Sequence, residues 1–194
     1  IEHPDKVKKH IAQIVKGAKR SADLVQQILT FSRQSEYQKM SLGLHLVVKE
    51  SIKLLRPSIP ATIEIKTDIN SKAVVHADPT KMHQLIINLC TNAYHAMSES
   101  GGILSICLSE VEILNSKNLK GEKTNPGNYI KLEVTDTGHG MDEKVLDKAF
   151  DPYFTTKQTG KGTGFGLSLV HAIVEEHKGL LEVQSEPGKG SSFY

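Results

Sequence analysis

Apolar residues recur at intervals of three and four through Met82–Met97, where Leu85, Ile86, Leu89, Cys90, Ala93 and Met97 share one side and Gln84, Asn88, Asn92 and His95 the other. The spacing predicts a helix with one core face, and Asp78-Pro79 ahead of it offers an N-cap followed by a proline suited to the first turn. A second stripe, Leu46, Val47, Ile52 and Leu55, predicts a helix over Leu44–Leu55, closed by Pro57 and Pro60. Period two replaces it at Thr62–Ile69, where Ile63, Ile65, Thr67 and Ile69 alternate, and strands are expected there and at Ala73–His76. Further strands are expected at Ile103–Ile113, through Ile106, Leu108 and Val111, and at Tyr129–Val134. Leu167–His177 reads as an apolar-faced helix ended by Gly179, with closing strands at Leu180–Val183 and Ser191–Tyr194. Ser35–Met40 is polar and serves as a linker, and Asn115–Asn128 fits a hairpin loop. Helices alternating with strands indicate an α+β class, a two-layer α/β sandwich whose mixed sheet is covered by helices on one face.

From Pro4 to about Gln34 the chain reads as one long helix. Val7, Ile11, Ile14, Ala18, Val25, Ile28 and Ser32 form a seam, with Lys6, Lys8, Lys9, Lys16, Lys19 and Arg20 mostly outside it. A lone helix cannot bury such a seam, so it should pack on other helices, with a second copy of the chain as the expected source. Two regions are therefore expected, 1–36 and 41–194.

Composition narrows this little. The chain has 194 residues, 38% of them hydrophobic, enough for one ordinary domain and an appendage. With 24 basic and 22 acidic residues the net charge is +2, which implies no polyanion-binding surface, and nucleic acid is not an expected partner. Cys90 and Cys107 sit in apolar stretches and read as reduced core residues of a cytoplasmic protein. No run approaches the roughly twenty apolar residues of a membrane span, and no membrane contact is expected of this chain. Membrane anchoring of a complete protein is left open.

Two glycine-bearing stretches bring in chemistry. Asp136-Thr-Gly-His-Gly140 follows a strand, which places a carboxylate at a strand end beside backbone that a flat ligand can approach closely. Gly160-Lys-Gly-Thr-Gly-Phe-Gly-Leu167 runs into a helix, where backbone N–H groups make a site for polyphosphate. Neither is a Walker loop or a Rossmann fingerprint, since the order and flanking elements differ. Asn88 and Asn92 lie one turn apart, so their amide oxygens could hold a hard cation or its waters, although exposed asparagines on a helix are commonplace.

In order and spacing these pieces resemble the histidine-kinase ATP-binding domain, of the same superfamily as DNA gyrase B, the MutL mismatch-repair proteins and the Hsp-type chaperone ATPases. The helix resembles the family's N box, DTGHGM its G1 box, FDPYFTTK (Phe150–Lys157) its F box and GKGTGFGL its G2 box. The stretch Arg20–Arg33 resembles the second helix of the dimerisation domain. The resemblance implies a Bergerat ATP-binding fold, ATP and Mg²⁺ as cofactors, a homodimer through helix 4–34, and a response-regulator receiver domain as partner.

It also implies roles. Asp136 would anchor adenine, with Gly138 and Gly140 passing close to the base and Ser191 or Ser192 reaching it through water. Asn88 would be the magnesium ligand, Asn92 would contact phosphate or ribose, and His95 would stand where the family often has a basic residue near the phosphates. Gly160, Gly162, Thr163, Gly164, Phe165, Gly166 and Leu167 would form a lid to which Lys157 and Lys161 add charge, and Phe150 and Phe154 would plug its base. The hydrolytic branches have a Glu four residues before the magnesium Asn; here that residue is Gln84, which cannot act as a general base at neutral pH. The family's phosphoaccepting His is usually followed by Glu or Asp, whereas His3 and His10 precede Pro4 and Ile11 and read as surface residues. The first dimerisation helix and its acceptor are therefore expected elsewhere. The function implied is the catalytic portion of a sensor histidine kinase in two-component signalling. The alternative is a related ATP-binding module, a nucleotide sensor, scaffold or protein serine kinase, without transfer to His.

Overall fold

The chain divides into two units, Ile1–Tyr37 and Gln38–Tyr194. A computed structural model describes Val7 and His10 of the first, and residues 39–114, 116–117, 123–157 and 164–194 of the second. The long helix expected over residues 4–34 thus lies outside the described residues, apart from Val7 and His10, which are helical and exposed.

Unit two is a mixed five-stranded sheet with helices on one face. Its strands are β2 (Ile63–Ile69), β4 (Gly102–Ile113), β7 (Gly127–Asp136), β8 (Val183–Glu186) and β9 (Gly190–Phe193), in the order β2-β4-β7-β9-β8. β2 runs parallel to β4, and every other pairing is antiparallel. A two-stranded ribbon, β1 (Met40–Gly43) with β3 (Val74–Ala77), stands apart from it. A smaller one, β5 (Ser116–Lys117) with β6 (Lys123–Thr124), decorates the expected hairpin loop.

Helices α1 (Leu44–Leu55), α2 (Pro79–Ala96) and α4 (Gly166–Glu176) cover the sheet; α3 (Glu143–Lys148) is a short connection. The core forms where the apolar stripe of each helix meets the inward set of the strands. Val48, Ile86, Leu89 and Val170 meet Ile63, Leu104, Ile106, Val134 and Phe193 there, all nearly without solvent. Each such side chain contributes about 1.5–3 kcal/mol by leaving water. Cys90 joins them, and burial pushes its thiol up to about 12, so it packs as a small apolar group. α2 starts where it does because the Asp78 carboxylate accepts the N–H groups of Thr80 at 2.8 Å and Lys81 at 3.2 Å, with Pro79 next in the chain.

Several expectations need correction. Met40 is not linker: it opens β1, opposite Ala77. The strand expected at Leu180–Val183 lies at Val183–Glu186, because Leu181 enters the core from irregular backbone and the alternation begins only after it. In β4 the inward set is Leu104, Ile106 and Leu108, so Val111 and Cys107 point to the opposite face and Cys107 is no core residue. That outer face is polar, carrying a Lys131–Glu133 ion pair at 3.0 Å and a Thr135–Ser192 hydroxyl contact at 2.9 Å.

Candidate functional site

The register of β7 decides where Asp136 points. Asp136 pairs with Leu104 on one side and Ser191 on the other, which puts its carboxylate on the helix-covered face, 4% exposed, at the end of the strand. Ser191 shares that face and is buried, whereas Ser192 turns away to Thr135. The Gly138 N–H donates to the Asp136 carboxylate at 2.8 Å. Burial nonetheless pushes the carboxyl above the usual range, against the backbone donors of Gly138 and Ser191 and the nearby His139, which pull it down.

The following turn lies flat against the end of α2. A Cβ on Gly138 would sit 2.6 Å from the Ala96 Cβ and 2.7 Å from the Ala96 carbonyl carbon, and the His139 N–H donates to the Ala96 carbonyl at 3.2 Å. Gly140 has φ +66° and any Cβ there would meet the Glu186 carbonyl, so only glycine fits. The carboxylate is thereby fixed beside the C-terminal turn of the helix that carries the asparagines.

Along α2 from that end come His95, Asn92, Asn88 and Gln84. The Asn88 amide nitrogen donates to the Gln84 carbonyl at 2.7 Å, which leaves its oxygen facing the first turn of α4. A Cβ on Gly166 would lie 3.3 Å from that oxygen and 3.3 Å from the Asn92 side-chain nitrogen. The Asn92 oxygen accepts from the Lys157 ammonium at 3.1 Å. Burial lowers the Lys157 pKa, and among the described residues no carboxylate forms an ion pair with it. His95 is lowered to about 4, first by burial and then by the Lys157 charge. The basic residue expected at that position is therefore a neutral imidazole at physiological pH.

Phe150 packs on the core edge with its ring 5.9 Å from His171, and Phe154 is half-buried. Phe165 is exposed and meets the Tyr153 ring edge-on at 4.5 Å, while the Tyr153 N–H donates to the Gly164 carbonyl at 3.0 Å. Leu167 packs against the core. Gly160, Lys161, Gly162 and Thr163 lie outside the described residues. The fold therefore brings Asp136, Gly138, Asn88, Asn92, His95, Lys157, Gly166 and Leu167 around one stretch of α2, with Gly140 set against Glu186 and Gly190 of the β8–β9 hairpin. Tyr153 was not anticipated; its backbone φ of +70°, rare for a bulky residue, is a feature no sequence pattern signals.

The sequence profile of the histidine kinase-, DNA gyrase B- and HSP90-like ATPases matches residues 77–194. The chain belongs to this ATPase family. Sensor kinase CckA of Brucella abortus (strain 2308) is 37% identical over 184 residues, 94% of this chain and 19% of that protein. Sensor histidine kinase ZraS of Escherichia coli (strain K12) is 32% identical over 186 residues, 94% of this chain and 36% of that protein. The chain thus spans about a fifth of the first of these relatives and little more than a third of the second. Its fold matches a crystal structure of histidine kinase ThkA in complex with response regulator protein TrrA, with TM-score 0.70 and 23% identity, covering 100% of this chain and 51% of that one. As a member of an ATPase family, the chain has an ATP-binding domain, and the mixed sheet with its helix layer is that fold.

The donors present fit a nucleotide and a hard cation. Among the described residues the Gln84 side-chain oxygen is buried without a donor, and the Lys157 ammonium has a neutral amide as its hydrogen-bond partner. The first calls for a donor and the second for an anion. Among the described residues no cluster of His, Cys, Asp and Glu could hold a metal alone. A cation here would lean on phosphate oxygens and water, as magnesium does.

Proposed function

We propose that this chain is the ATP-binding catalytic part of a sensor histidine kinase in two-component signalling. It would pass the γ-phosphoryl group of Mg·ATP to a histidine on a dimerisation helix outside the chain. The carrying observation is the buried Asp136 carboxylate, fixed by the Gly138 turn against Ala96 at one end of α2, with the oxygens of Asn92 and Asn88 next along the same helix. The names of the relatives, sensor kinase CckA and sensor histidine kinase ZraS, support the same reading.

In this reading Asp136 accepts the exocyclic amino group of adenine, and Asn92 and Lys157 face the phosphates. Asn88 gives one oxygen to Mg²⁺, which supplies charge neutralisation on the phosphates. Phosphoryl transfer then depends on positioning and electrostatics, with little else for side chains to do. Gln84 cannot take a proton from water at neutral pH, which keeps ATP for the incoming histidine. The ThkA complex with its response regulator supports a receiver domain as the next partner. The seam over residues 4–34 would form the homodimer. Among the described residues no helix is long and apolar enough to cross a membrane.

The test is incubation with γ-labelled ATP, alone and with a separately supplied dimerisation domain. The chain alone should bind ATP and remain unlabelled, and the supplied domain should gain acid-labile label. Label on the chain itself would show that His3 or His10 had been misread. Label on neither, with ATP bound, would favour a sensor or scaffold, and acid-stable label a serine kinase.

A further inference from the structure

The second unit begins at Gln38, and the residue after it is tied down. The Lys39 ammonium donates to the carbonyl of Glu176, the last residue of α4, at 2.6 Å. Carbonyls at a helix C-terminus lack intrahelical partners and carry the negative end of the helix dipole, so a cation is held there twice over. His177 closes the same spot. Its N–H returns to the Ile173 carbonyl at 3.1 Å, its Nδ1 lies 2.8 Å from that carbonyl, and its Nε2 accepts the Asp78 N–H at 3.2 Å. Asp78 is the cap of α2 and directly follows β3, whose partner β1 begins at Met40. Lys39, β1, β3, the start of α2 and the end of α4 therefore form one knot.

The opposite end of α4 is a wall of the nucleotide site. Gly166 brings the backbone close there, since an added Cβ would come within 3.3 Å of both asparagine side chains. Between its ends α4 is clamped by Val170 at 0% exposure and Ile173 at 1%. A close-packed helix so short moves as a rod, and its ends are only about 15 Å apart. A displacement of its C-terminus is passed to the contacts with Asn88 and Asn92.

We propose that Lys39 is a positioning residue for the nucleotide site, holding α4 from its far end so that its first turn stays against Asn88 and Asn92. The proposal rests on the nucleotide reading above. It makes residue 39 the point at which a movement of the incoming backbone reaches that site through a single helix.

The experiment compares the whole chain with Lys39→Met and Lys39→Arg, by calorimetric titration with Mg·ADP and with a non-hydrolysable Mg·ATP analogue, and by amide exchange without nucleotide. A charge-assisted hydrogen bond of ordinary strength predicts about five- to tenfold weaker binding for Lys39→Met and rescue to within about twofold by Lys39→Arg. Exchange should quicken at residues 164–169 as well as at 174–178. Unchanged affinity with exchange quickened only at 174–178 would reduce Lys39 to a local cap and overturn the proposal, as would an arginine variant no better than methionine. A wild-type chain that binds no nucleotide would remove the nucleotide reading, and the exchange at 164–169 would then decide the mechanical link by itself.

Discussion

The Lys157 ammonium sits 3.1 Å from the Asn92 amide oxygen, and no carboxylate among the described residues is paired to it. A partly desolvated cation whose partner is a neutral amide gains strongly from an incoming anion. Lys157→Met should weaken ADP and ATP binding about tenfold and leave adenosine binding unchanged. Calorimetry across adenosine, ADP and ATP checks this, and an equal loss for adenosine would mean that the substitution had damaged the pocket rather than removed a charge.

Asp136 predicts a trade of stability against binding. Its pKa is raised by burial, so the folded state holds the proton more tightly than the unfolded chain, and stability contributed at low pH is lost as pH rises through the folded value. At neutral pH the charge therefore opposes folding. Asp136→Asn keeps the acceptor for the Gly138 N–H and removes that charge, so its thermal midpoint should equal or exceed wild type while adenine-nucleotide affinity falls by an order of magnitude or more. A lowered midpoint with unchanged affinity would contradict both halves.

The elements that carry the site were legible because each had two concordant signals. For α2 these were the three-four stripe and the Asp78-Pro79 start, and for Asp136 the alternation of β7 running into glycines. Where one signal stood alone it misled. Leu180 and Leu181 look like strand, but apolar side chains can fill a core from irregular backbone. β1 is short and lies at the end of a polar run, and α3, six residues capped by Asp142, buries nothing, so neither leaves a pattern. Val111 misled because it lies on the outer face of β4, and one apolar residue on the wrong parity suffices to blur a period of two. The lowered pKa that leaves His95 neutral comes first from burial and then from the charge of Lys157, 62 positions away in the chain, a separation no local pattern spans.

That neutrality gives a pH signature. With its pKa lowered from 6.5 to about 4, His95 binds fewer protons in the folded than in the unfolded state between those values. Stability should fall as pH drops through that window, and His95 should add no pH dependence above it. Urea midpoints from roughly pH 7.5 down to pH 5 should fall less in His95→Gln than in wild type. Lys157→Met should raise the His95 pKa, a shift visible in an NMR titration of the imidazole. Parallel slopes for wild type and His95→Gln would place the acid sensitivity elsewhere.

Gln84 tests which end of α2 receives the terminal phosphate. The Gly138 turn touches Ala96, and Gln84 lies twelve residues back, about 18 Å along the helix axis. A base held at Asp136 therefore directs the phosphates toward Asn88 and Gln84. In this orientation the Gln84 side-chain oxygen, buried without a donor among the described residues, would accept from a water beside the terminal phosphate, yet an amide cannot remove its proton. Glutamate has the same shape and a basic oxygen. Gln84→Glu should raise ATP hydrolysis at least about tenfold, below the full range of a well-placed general base because nothing else in the site is arranged for water. Phosphate release should climb with pH through the new carboxylate's titration, and labelling of a supplied dimerisation domain should fall as ATP is lost to water. If the variant binds ATP as wild type does and hydrolyses it no faster across that range, the terminal phosphate does not lie beside Gln84, and the orientation of the nucleotide along α2 would have to be reversed.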